Sequence, residues 1–392
     1  MKKLFIFAAV ALVTSVACTH NVIDPETFEG REINFNAVTG KATRGPITNN
    51  YFPTDAGNFG VYAYYLASGT WASNYGSGVL YMGTAATGTD VEPNDAAAGA
   101  PVEYNSTLKI WNPSSVYYWP LEGTLTFFAY YPATLITPGY DRSTKTFSIG
   151  SFTVNTTVSS QKEVLVSSFA VDQTQNTTQY VFGAEEGNNS GTNLGVQIQF
   201  QHMLSQVVFT AAASSEVYGR GLSFKINDIT VGARGTSAGM TVVPGSTPSW
   251  TEPTTLATYD ILAADFPNAT VTPGVAANWL GTSQSAQIGD ALLMIPNTDF
   301  EGASGTSDDD YFTVTYTLYR MEDGLAMGSK TVKLWFKDNL TSPVTNWEPG
   351  KKYTYRLTIG LEKIYFAPEV GNWTDATAQN VEVPGNGTTV TP

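Results

Sequence analysis

The stretch VQIQFQHMLSQVVFTAAA, residues 196–213, decides the fold class. In its first part the apolar residues Val196, Ile198 and Phe200 alternate with glutamines, and a second apolar run begins over residues 206–209. An apolar residue at every second position is typical of a β-strand that buries one face. The stretch therefore predicts β-strands at this point of the chain.

The same alternation recurs on both sides of this stretch. Further strands are predicted at 31–38, 59–66, twice within 108–132, and at 222–231, 291–296, 311–320, 330–336 and 351–360. Residues 162–171 fit a strand or a short helix, and residues 67–105, rich in Gly, Ala, Ser and Asn, predict a long loop region. Short alternating strands separated by turn residues are typical of sandwiches, so the sequence predicts an all-β fold.

The chain is long enough for two domains. Its 392 residues exceed the usual length of one domain, and 42% of them are hydrophobic, which allows a sizeable core. Residues 172–193 are polar and rich in Gly and Asn, so they are the best candidate for a domain boundary. The sequence therefore predicts one β-sandwich before residue 194 and another after it.

The charge balance argues against a nucleic-acid partner. The formal net charge is −14, and only 14% of the residues are charged. Binding to a polyphosphate needs clusters of Lys and Arg that release counterions. The balance instead fits a secreted surface protein, since net charge far from zero favours solubility.

Residues 1–18, MKKLFIFAAVALVTSVAC, are typical of a bacterial lipoprotein signal. Lys2 and Lys3 precede an apolar run over 4–13, which is shorter than the roughly 20 residues that span a bilayer. Cys18 is the only cysteine, and small residues precede it. We expect residues 1–17 to be removed and Cys18 to carry a lipid that anchors the precursor in the outer membrane. The alternative is an ordinary secretion signal that happens to contain a cysteine.

The first predicted strand is followed by an exposed loop. In REINFNAV, residues 31–38, Ile33 and Phe35 share one face and polar residues share the other. The loop GKATRGP, residues 40–46, is bounded by Gly and Pro and contains Arg44. Loops of this composition are preferred sites of proteolysis.

The sequence resembles the fimbrillin family, also called Mfa-like proteins or type V pilins. Four stretches carry the resemblance, each weak alone but ordered along most of the chain: the signal ending at Cys18, REINFNAV before the Arg44–Gly45 bond, YYWPLEGTLTFFAYYP (117–132), and FQHMLSQVVF (200–209) with WEPGKKYTYRLTI (347–359). The resemblance implies two tandem transthyretin-like (Ig-like Greek-key) β-sandwiches, over 45–193 and 194–392.

The resemblance also implies a mode of assembly. Residues 18–44 would be a lipidated propeptide, and an arginine-specific protease would cut between Arg44 and Gly45. Loss of the strand with Ile33 and Phe35 would open a groove that a strand of another pilin subunit fills. Repeated addition would give a head-to-tail fimbrium, homo- or heteropolymeric, that adheres to host or bacterial surface ligands.

The donor strand is a second expectation from the resemblance. The C-terminal segment 374–392, TDATAQNVEVPGNGTTVTP, would supply it, with Val381 and Val383 on one face. These valines are smaller than the residues they would replace. The alternative is that the segment completes the second sandwich.

Catalytic chemistry finds little support in the sequence. The two histidines are His20 in the N-terminal tether and His202 in an apolar strand, where it is expected to pack in the core. A serine triad or a zinc site needs more partners than they offer. The run Asp308–Asp310 lacks the spacing of a calcium loop and predicts a solvated turn. We therefore expect no catalytic residues, no metal and no cofactor.

The aromatic residues leave one alternative function open. Most of those in 111–131 lie at strand spacing and are expected in the core, whereas Trp71 and Tyr75 stand among Gly and Ser and are better candidates for a sugar platform. The alternative is thus a lipid-anchored glycan-binding or nutrient-uptake accessory protein.

Overall fold

The structure is a computed structural model of the chain. It describes residues 32–39, 52, 57–87, 94–107, 110–134, 138–175, 195–253, 255–262, 264–268, 271–275, 278–296, 300, 310–336, 344–361 and 364–373.

Strands dominate the described residues. The first half contains β1 Phe35–Thr39, β2 Phe59–Leu66, β3 Val79–Met82, β4 Thr84–Ala85, β5 Ala96–Ala98, β6 Ala100–Asn105, β7 Ile110–Pro113, β8 Thr124–Tyr131, β9 Pro138–Asp141, β10 Thr146–Thr153, β11 Leu165–Ser167 and β12 Ala170–Gln173. The second half contains β13 Val196–His202, β14 Ser205–Ala213, β15 Leu222–Gly235, β16 Ser237–Val242, β17 Ser249–Trp250, β18 Leu256–Asp260, β19 Ile288–Met294, β20 Tyr311–Arg320, β21 Leu325–Trp335, β22 Lys351–Ile359 and β23 Ile364–Asn372.

Helical segments are short. They are α1 Trp71–Asn74 and α2 Ser215–Gly219, with 3-10 turns at Tyr75–Ser77 and Val158–Ser160. No helix in the described part of the chain has the length and apolar character needed to cross a membrane.

A nine-stranded sheet closes on itself in the first half. Its order is β12-β8-β11-β13-β1-β7-β6-β2-β3, and β2 also pairs with β8. The path β8-β11-β13-β1-β7-β6-β2 therefore returns to β8 and forms a ring. An apolar cluster fills the ring, because alternate side chains of each strand point inward.

Strands β2 and β8 are buried on both faces. Phe59 and Val61 point into the ring, whereas Tyr62 and Tyr64 point to the opposite face. That outer face packs on a six-stranded sheet of order β17-β16-β10-β9-β5-β4, for example where Tyr62 lies near Phe147. The central strands are accordingly almost continuous runs of large apolar residues.

Two four-stranded sheets form a sandwich in the second half. Their orders are β19-β14-β22-β23 and β18-β15-β20-β21. They face each other through Phe209, Phe312 and Tyr355, whose ring centroids lie 5.2 to 5.8 Å apart. One apolar cluster runs from this sandwich into the core between the first-half sheets.

The sheets do not divide the chain between residues 193 and 194. Strand β13, which follows that point, pairs with β1 and β11 of the first half, and β16 and β17 extend the six-stranded sheet. Alternation along a strand identifies its buried face, but it does not identify the strand to which it hydrogen-bonds.

The predicted all-β class is confirmed, and most predicted strands are found. The 59–66 and 311–320 strands match β2 and β20 residue for residue. The long loop predicted over 67–105 is wrong, because α1 and strands β3 to β6 lie there. Small residues are required at this point because the segment packs closely on β2: a Cβ atom at Gly99, between β5 and β6, would lie 2.7 Å from the Val61 backbone nitrogen.

Candidate functional site

The first strand lies inside the ring and alternates as predicted. Ile33, Phe35 and Ala37 are each 1% exposed, whereas Glu32 is exposed and Asn34 is half-buried. Three apolar side chains of one short strand therefore fill part of the core.

The backbone of β1 is held unequally on its two sides. On one side it pairs in parallel with β13, from Phe35 opposite Val196 to Thr39 opposite Phe200. On the other side its pairing with β7 is confined to Phe35 opposite Trp111. The seam between β1 and β7 is thus the weaker of the two.

Two irregular contacts complete the weaker side. The Ile33 N–H donates to the Tyr117 carbonyl oxygen at 2.8 Å, and the Phe52 N–H donates to the Ala37 carbonyl oxygen at 3.0 Å. Each contact lies at one end of the strand. If β1 were absent, the Tyr117 carbonyl oxygen and the Phe52 N–H would be available to hydrogen-bond with the main chain of an incoming strand.

Aromatic rings surround the first strand and would line the groove that its loss would leave. Phe35 packs edge-on against Phe127, with ring centroids 5.6 Å apart. Phe52 is 1% exposed and contacts Trp111, Tyr131 and Phe200 at 5.1 to 5.2 Å. Phe52 follows the predicted cleavage site, so its ring belongs to the groove and not to the first strand.

Loss of β1 would leave both an apolar slot and an unpaired edge. Exposure of about 200 Å² of apolar surface corresponds to about 5 kcal/mol at roughly 25 cal/mol per Å². The freed edge of β13 would present unpaired N–H and C=O groups, which are a template for strand addition. The arrangement can bind an extended apolar peptide segment.

Several predicted site residues lie outside the described residues. They are Cys18, Arg44, Gly45, Val381 and Val383. The described residues that flank the predicted cleavage site are Thr39, the end of β1, and Phe52. The lipid site, the cleaved bond and the donor strand stay predictions.

His202 belongs to a buried polar contact between the two halves. Its Nδ1 atom lies 3.2 Å from Glu163 Oε1, and its ring stacks on Trp373 with centroids 4.0 Å apart. Trp373 ends the described C-terminal region immediately after β23. Within the described ranges no group of three or more His, Cys, Asp or Glu side chains could hold a metal ion.

The solvated turn predicted at the aspartate run is wrong for Asp310. Its side chain is buried and forms an ion pair with Arg234, whose guanidinium lies 4.9 Å from the Trp347 ring centroid. A buried guanidinium needs an anionic partner, because an unpaired buried charge is strongly destabilising. Asp308 and Asp309 lie outside the described residues.

The expected sugar platform at Trp71 is also wrong. Trp71 is 3% exposed and packs on Tyr64 and Phe169 at 5.7 and 5.8 Å. Tyr75 is half-buried, with Lys145 Nζ lying 3.9 Å from its ring centroid. The aromatics of 111–131 are mostly in the core, as expected, and the exception is Tyr118, which is 40% exposed.

The sequence pattern did not point to one groove residue, Phe52, which is buried in the ring. Phe52 follows Tyr51 in a stretch rich in Thr and Asn, without an alternating neighbourhood. The Tyr51–Phe52 aromatic pair was the available signal. Near Trp119, which is in the core as expected, partial burial raises the pKa of Tyr81 and of Tyr117 above the usual tyrosine value.

The fold is that of bacterial fimbrial proteins. A fimbrial protein from Bacteroides vulgatus has a similar structure, with a TM-score of 0.52 and 19% identity over 88% of this chain and 100% of that chain. The tip fimbrial protein Mfa3 from Porphyromonas gingivalis gives a TM-score of 0.39 and 10% identity, over 88% of this chain and 100% of the other. The anchor protein Mfa2 from the same organism gives 0.26 and 10%, over 88% and 98%.

The family model for fimbrillin-like proteins matches residues 66–373. The chain therefore belongs to the fimbrillin-like family. No curated protein matches the sequence.

Proposed function

We propose that this chain is a structural subunit of cell-surface fimbriae that polymerises by protease-triggered strand exchange and supports adhesion. It is exported as a lipoprotein, anchored in the outer membrane through Cys18, and released into a fimbrium after cleavage between Arg44 and Gly45. Its partners are other pilin subunits and an arginine-specific protease. It has no enzymatic activity of its own.

One observation carries this proposal: the first strand is an integral part of a closed ring, and in the sequence it directly precedes the loop in which cleavage is predicted. Ile33, Phe35 and Ala37 are fully buried, and β1 has its regular ladder with β13 only. Cleavage at Arg44 would separate this strand covalently from the rest of the ring. The vacated groove would then bind a strand of the same shape.

The energetics favour a polymer. The groove stays unfilled in a processed monomer, so an incoming strand recovers the apolar burial that β1 provided. A contact between the groove of one subunit and a strand of the next is head-to-tail and does not close on itself. Filament growth follows from this geometry.

We propose further that the chain folds as two tandem transthyretin-like sandwiches, with β13 in the first of them. The paired sheets of each half support this assignment. The donor strand is the segment 374–392, with Val381 and Val383 facing the groove. It leaves the described part of the chain at Trp373, beside His202.

The test uses purified protein that lacks residues 1–18. Trypsin at low dose should give one stable product that starts at Gly45, identified by mass spectrometry, and then SDS-resistant ladders. Arg44→Ala should abolish the product that starts at Gly45 while folding is retained, and the double variant Arg44→Ala with Lys41→Ala, which removes both trypsin sites of the loop, should also abolish the ladders.

Lys41→Ala is the matched control, because Lys41 lies in the same predicted loop and should not affect cleavage at Arg44. Processing at Gly45 without ladders would contradict self-polymerisation. Absence of a preferred cut near Arg44 would contradict protease triggering altogether and would direct attention to glycan binding.

A further inference from the structure

The groove has two ends that differ in their surroundings. At the Thr39 end, β13 is joined to β14 of the second half by only two residues, of which Met203 is the first. The Trp250 Nε1–H donates to the Met203 carbonyl oxygen at 3.0 Å, and the Trp373 ring stacks on His202. The chain's own second half therefore lies directly beyond this end.

Among the described residues, the segment 114–123 covers the Ile33 end. The Tyr117 carbonyl accepts from the Ile33 N–H, and Tyr118 forms an isolated antiparallel bridge with Glu32. Trp119 anchors the segment, since it is 4% exposed and packs on Phe127 with ring centroids 5.8 Å apart. This segment is the outer pole of the ring.

The outer pole is unusually apolar. Val116 is 60% exposed, Tyr118 40% and Leu121 64%. We name these three residues the pole patch. The Tyr81 hydroxyl donates to the Tyr118 carbonyl oxygen at 2.6 Å, which holds the patch against edge strand β3. Several large apolar side chains exposed within one short segment are a candidate interaction surface.

We propose that the pole patch receives the body of the incoming subunit, a second copy of this chain, and that its donor strand enters the groove from the Ile33 end. This inference rests on the proposed function. The donor then runs parallel to β13, in the direction that β1 takes.

The position of the tail supports this polarity. A donor made of residues 374–392 is joined to its own subunit at Trp373. Its first residues must therefore lie at the end of the acceptor's groove that is nearest to the donor subunit's body. The Thr39 end has the acceptor's own second half beyond it, whereas the Ile33 end faces outward with the pole patch beside it. Entry at the Ile33 end places the two bodies in contact through apolar surface.

The direction of the inserted strand differs between exchange with another subunit and insertion of a chain's own tail. A chain's own tail begins beside His202, near the Thr39 end of its own groove. A tail that filled its own groove would enter there and run antiparallel to β13. The direction of the inserted strand is therefore a readout of where it comes from.

Engineered cysteines can read this direction, because Cys18 is the only cysteine and is absent from protein lacking residues 1–18. One acceptor position is Tyr118, at the Ile33 end, and the other is Gln201, an exposed residue of β13 beyond Thr39. The donor positions are Ala378 and Thr388. After trypsin processing, Tyr118→Cys should form intersubunit disulfides with Ala378→Cys, and Gln201→Cys with Thr388→Cys.

The exchanged pairs are the decisive control. Ladders crosslinked through Tyr118→Cys with Thr388→Cys, or through Gln201→Cys with Ala378→Cys, would overturn the proposed polarity while leaving strand exchange intact. Disulfides confined to monomers would show self-insertion and also overturn it. A processed wild-type protein that forms no ladders would contradict the proposed function itself.

A second experiment tests the patch. Val116→Asp with Leu121→Asp should slow ladder formation about tenfold or more, as loss of a central apolar contact does, with cleavage at Gly45 unchanged. Leu256→Asp, at a position 54% exposed on β18, is the matched control and should polymerise at the wild-type rate. Equal rates for both variants would exclude docking on the pole patch.

Discussion

Two parallel pairs occur among the described strands, β1 with β13 and β14 with β22, and the strands β1 and β22 are held very differently. Strand β22 pairs with β14 from Gln206 to Ala213 on one side and with β23 along its whole length on the other. Strand β1 has a regular ladder only with β13 and meets β7 at Phe35. Burial of a strand's side chains therefore does not imply a regular ladder along both of its edges.

Both strands bury apolar side chains, so the difference lies in bonding and chain position. Tyr353, Tyr355, Leu357 and Ile359 of β22 are in the core, and its Arg356 forms an ion pair with Glu369 of β23. Strand β1 has three buried side chains and precedes a predicted cleavage site. If the predicted loop is cleaved, we expect a strand that is bonded mainly on one edge to leave without unravelling its neighbours.

The largest effect is expected from removal of the first strand. Protein that begins at Gly45 should be less stable than protein that begins at Thr19 by about 5 kcal/mol, because the groove loses its filling. Urea unfolding monitored by tryptophan fluorescence measures the difference. Equal midpoints for the two proteins would mean that β1 is not part of the stabilising core.

The next largest effect concerns the permanent strand. Tyr355→Ala should destabilise the protein by about 4 kcal/mol, because the ring is fully buried and its hydroxyl accepts a hydrogen bond from Trp347 Nε1 at 3.1 Å. The loss should be the same in both proteins, the one beginning at Thr19 and the one beginning at Gly45. A loss in only one of them would contradict the independence of β22 from β1.

Phe35→Ala tests whether the stabilisation by β1 is lost together with the propeptide. In the longer protein it should cost about 3 kcal/mol, since Phe35 is 1% exposed and packs on Phe127. After trypsin cleavage and separation of the propeptide, the variant and the wild type yield the same chain and should unfold at the same urea concentration. Phe52→Ala is the matched control: its ring lies in the same cluster, but it follows Gly45, so its cost should persist after processing.

A smaller effect is expected at high pH. Burial raises the pKa of Tyr353, in β22, to about 12, whereas an unfolded tyrosine ionises near its ordinary value of about 10. The unfolded state therefore releases its proton first, and the contribution of Tyr353 to stability should fall by at most roughly 1.4 kcal/mol per pH unit as pH rises from about 10 to about 12. The difference between Tyr353→Phe and the wild type in urea unfolding at several pH values isolates this contribution from those of the other buried tyrosines. Residues 33–38 contain no titratable side chain, so removing β1 should leave the contribution of Tyr353 unchanged.

The smallest effect is expected at the exposed start of the first strand. Glu32→Ala should change the free energy of unfolding by less than about 0.5 kcal/mol, because the side chain is exposed and its bridge to Tyr118 uses the backbone. Urea unfolding of the longer protein is the measurement. A loss comparable to that of Phe35→Ala would show that the outer edge of the strand, and not its buried face, holds it in place.

Much of the candidate site could be read from the sequence. The alternation of Ile33 and Phe35 identified a strand with one buried face, and the cleavage site in the loop after it stays a prediction. The partners of that strand could not be read, because β13 is far from it along the chain and the alternating pattern of β13 fits many partners. The burial of Phe52 could not be predicted for a related reason: a single buried aromatic shows no periodic pattern.

The sequence by itself determined the all-β class, the faces of the strongly alternating strands and the family, because these depend on local patterns of residue type. The tertiary structure alone decided that β13 completes the first-half ring, that alanine-rich segments around Gly99 become strands, and that Asp310 is buried opposite Arg234. It also decided that Val116, Tyr118 and Leu121 are exposed on the segment that bridges Glu32 at the Ile33 end of the groove. The physical reason is that strand pairing and ion pairing join residues distant in sequence, and local periodicity contains no record of the partner.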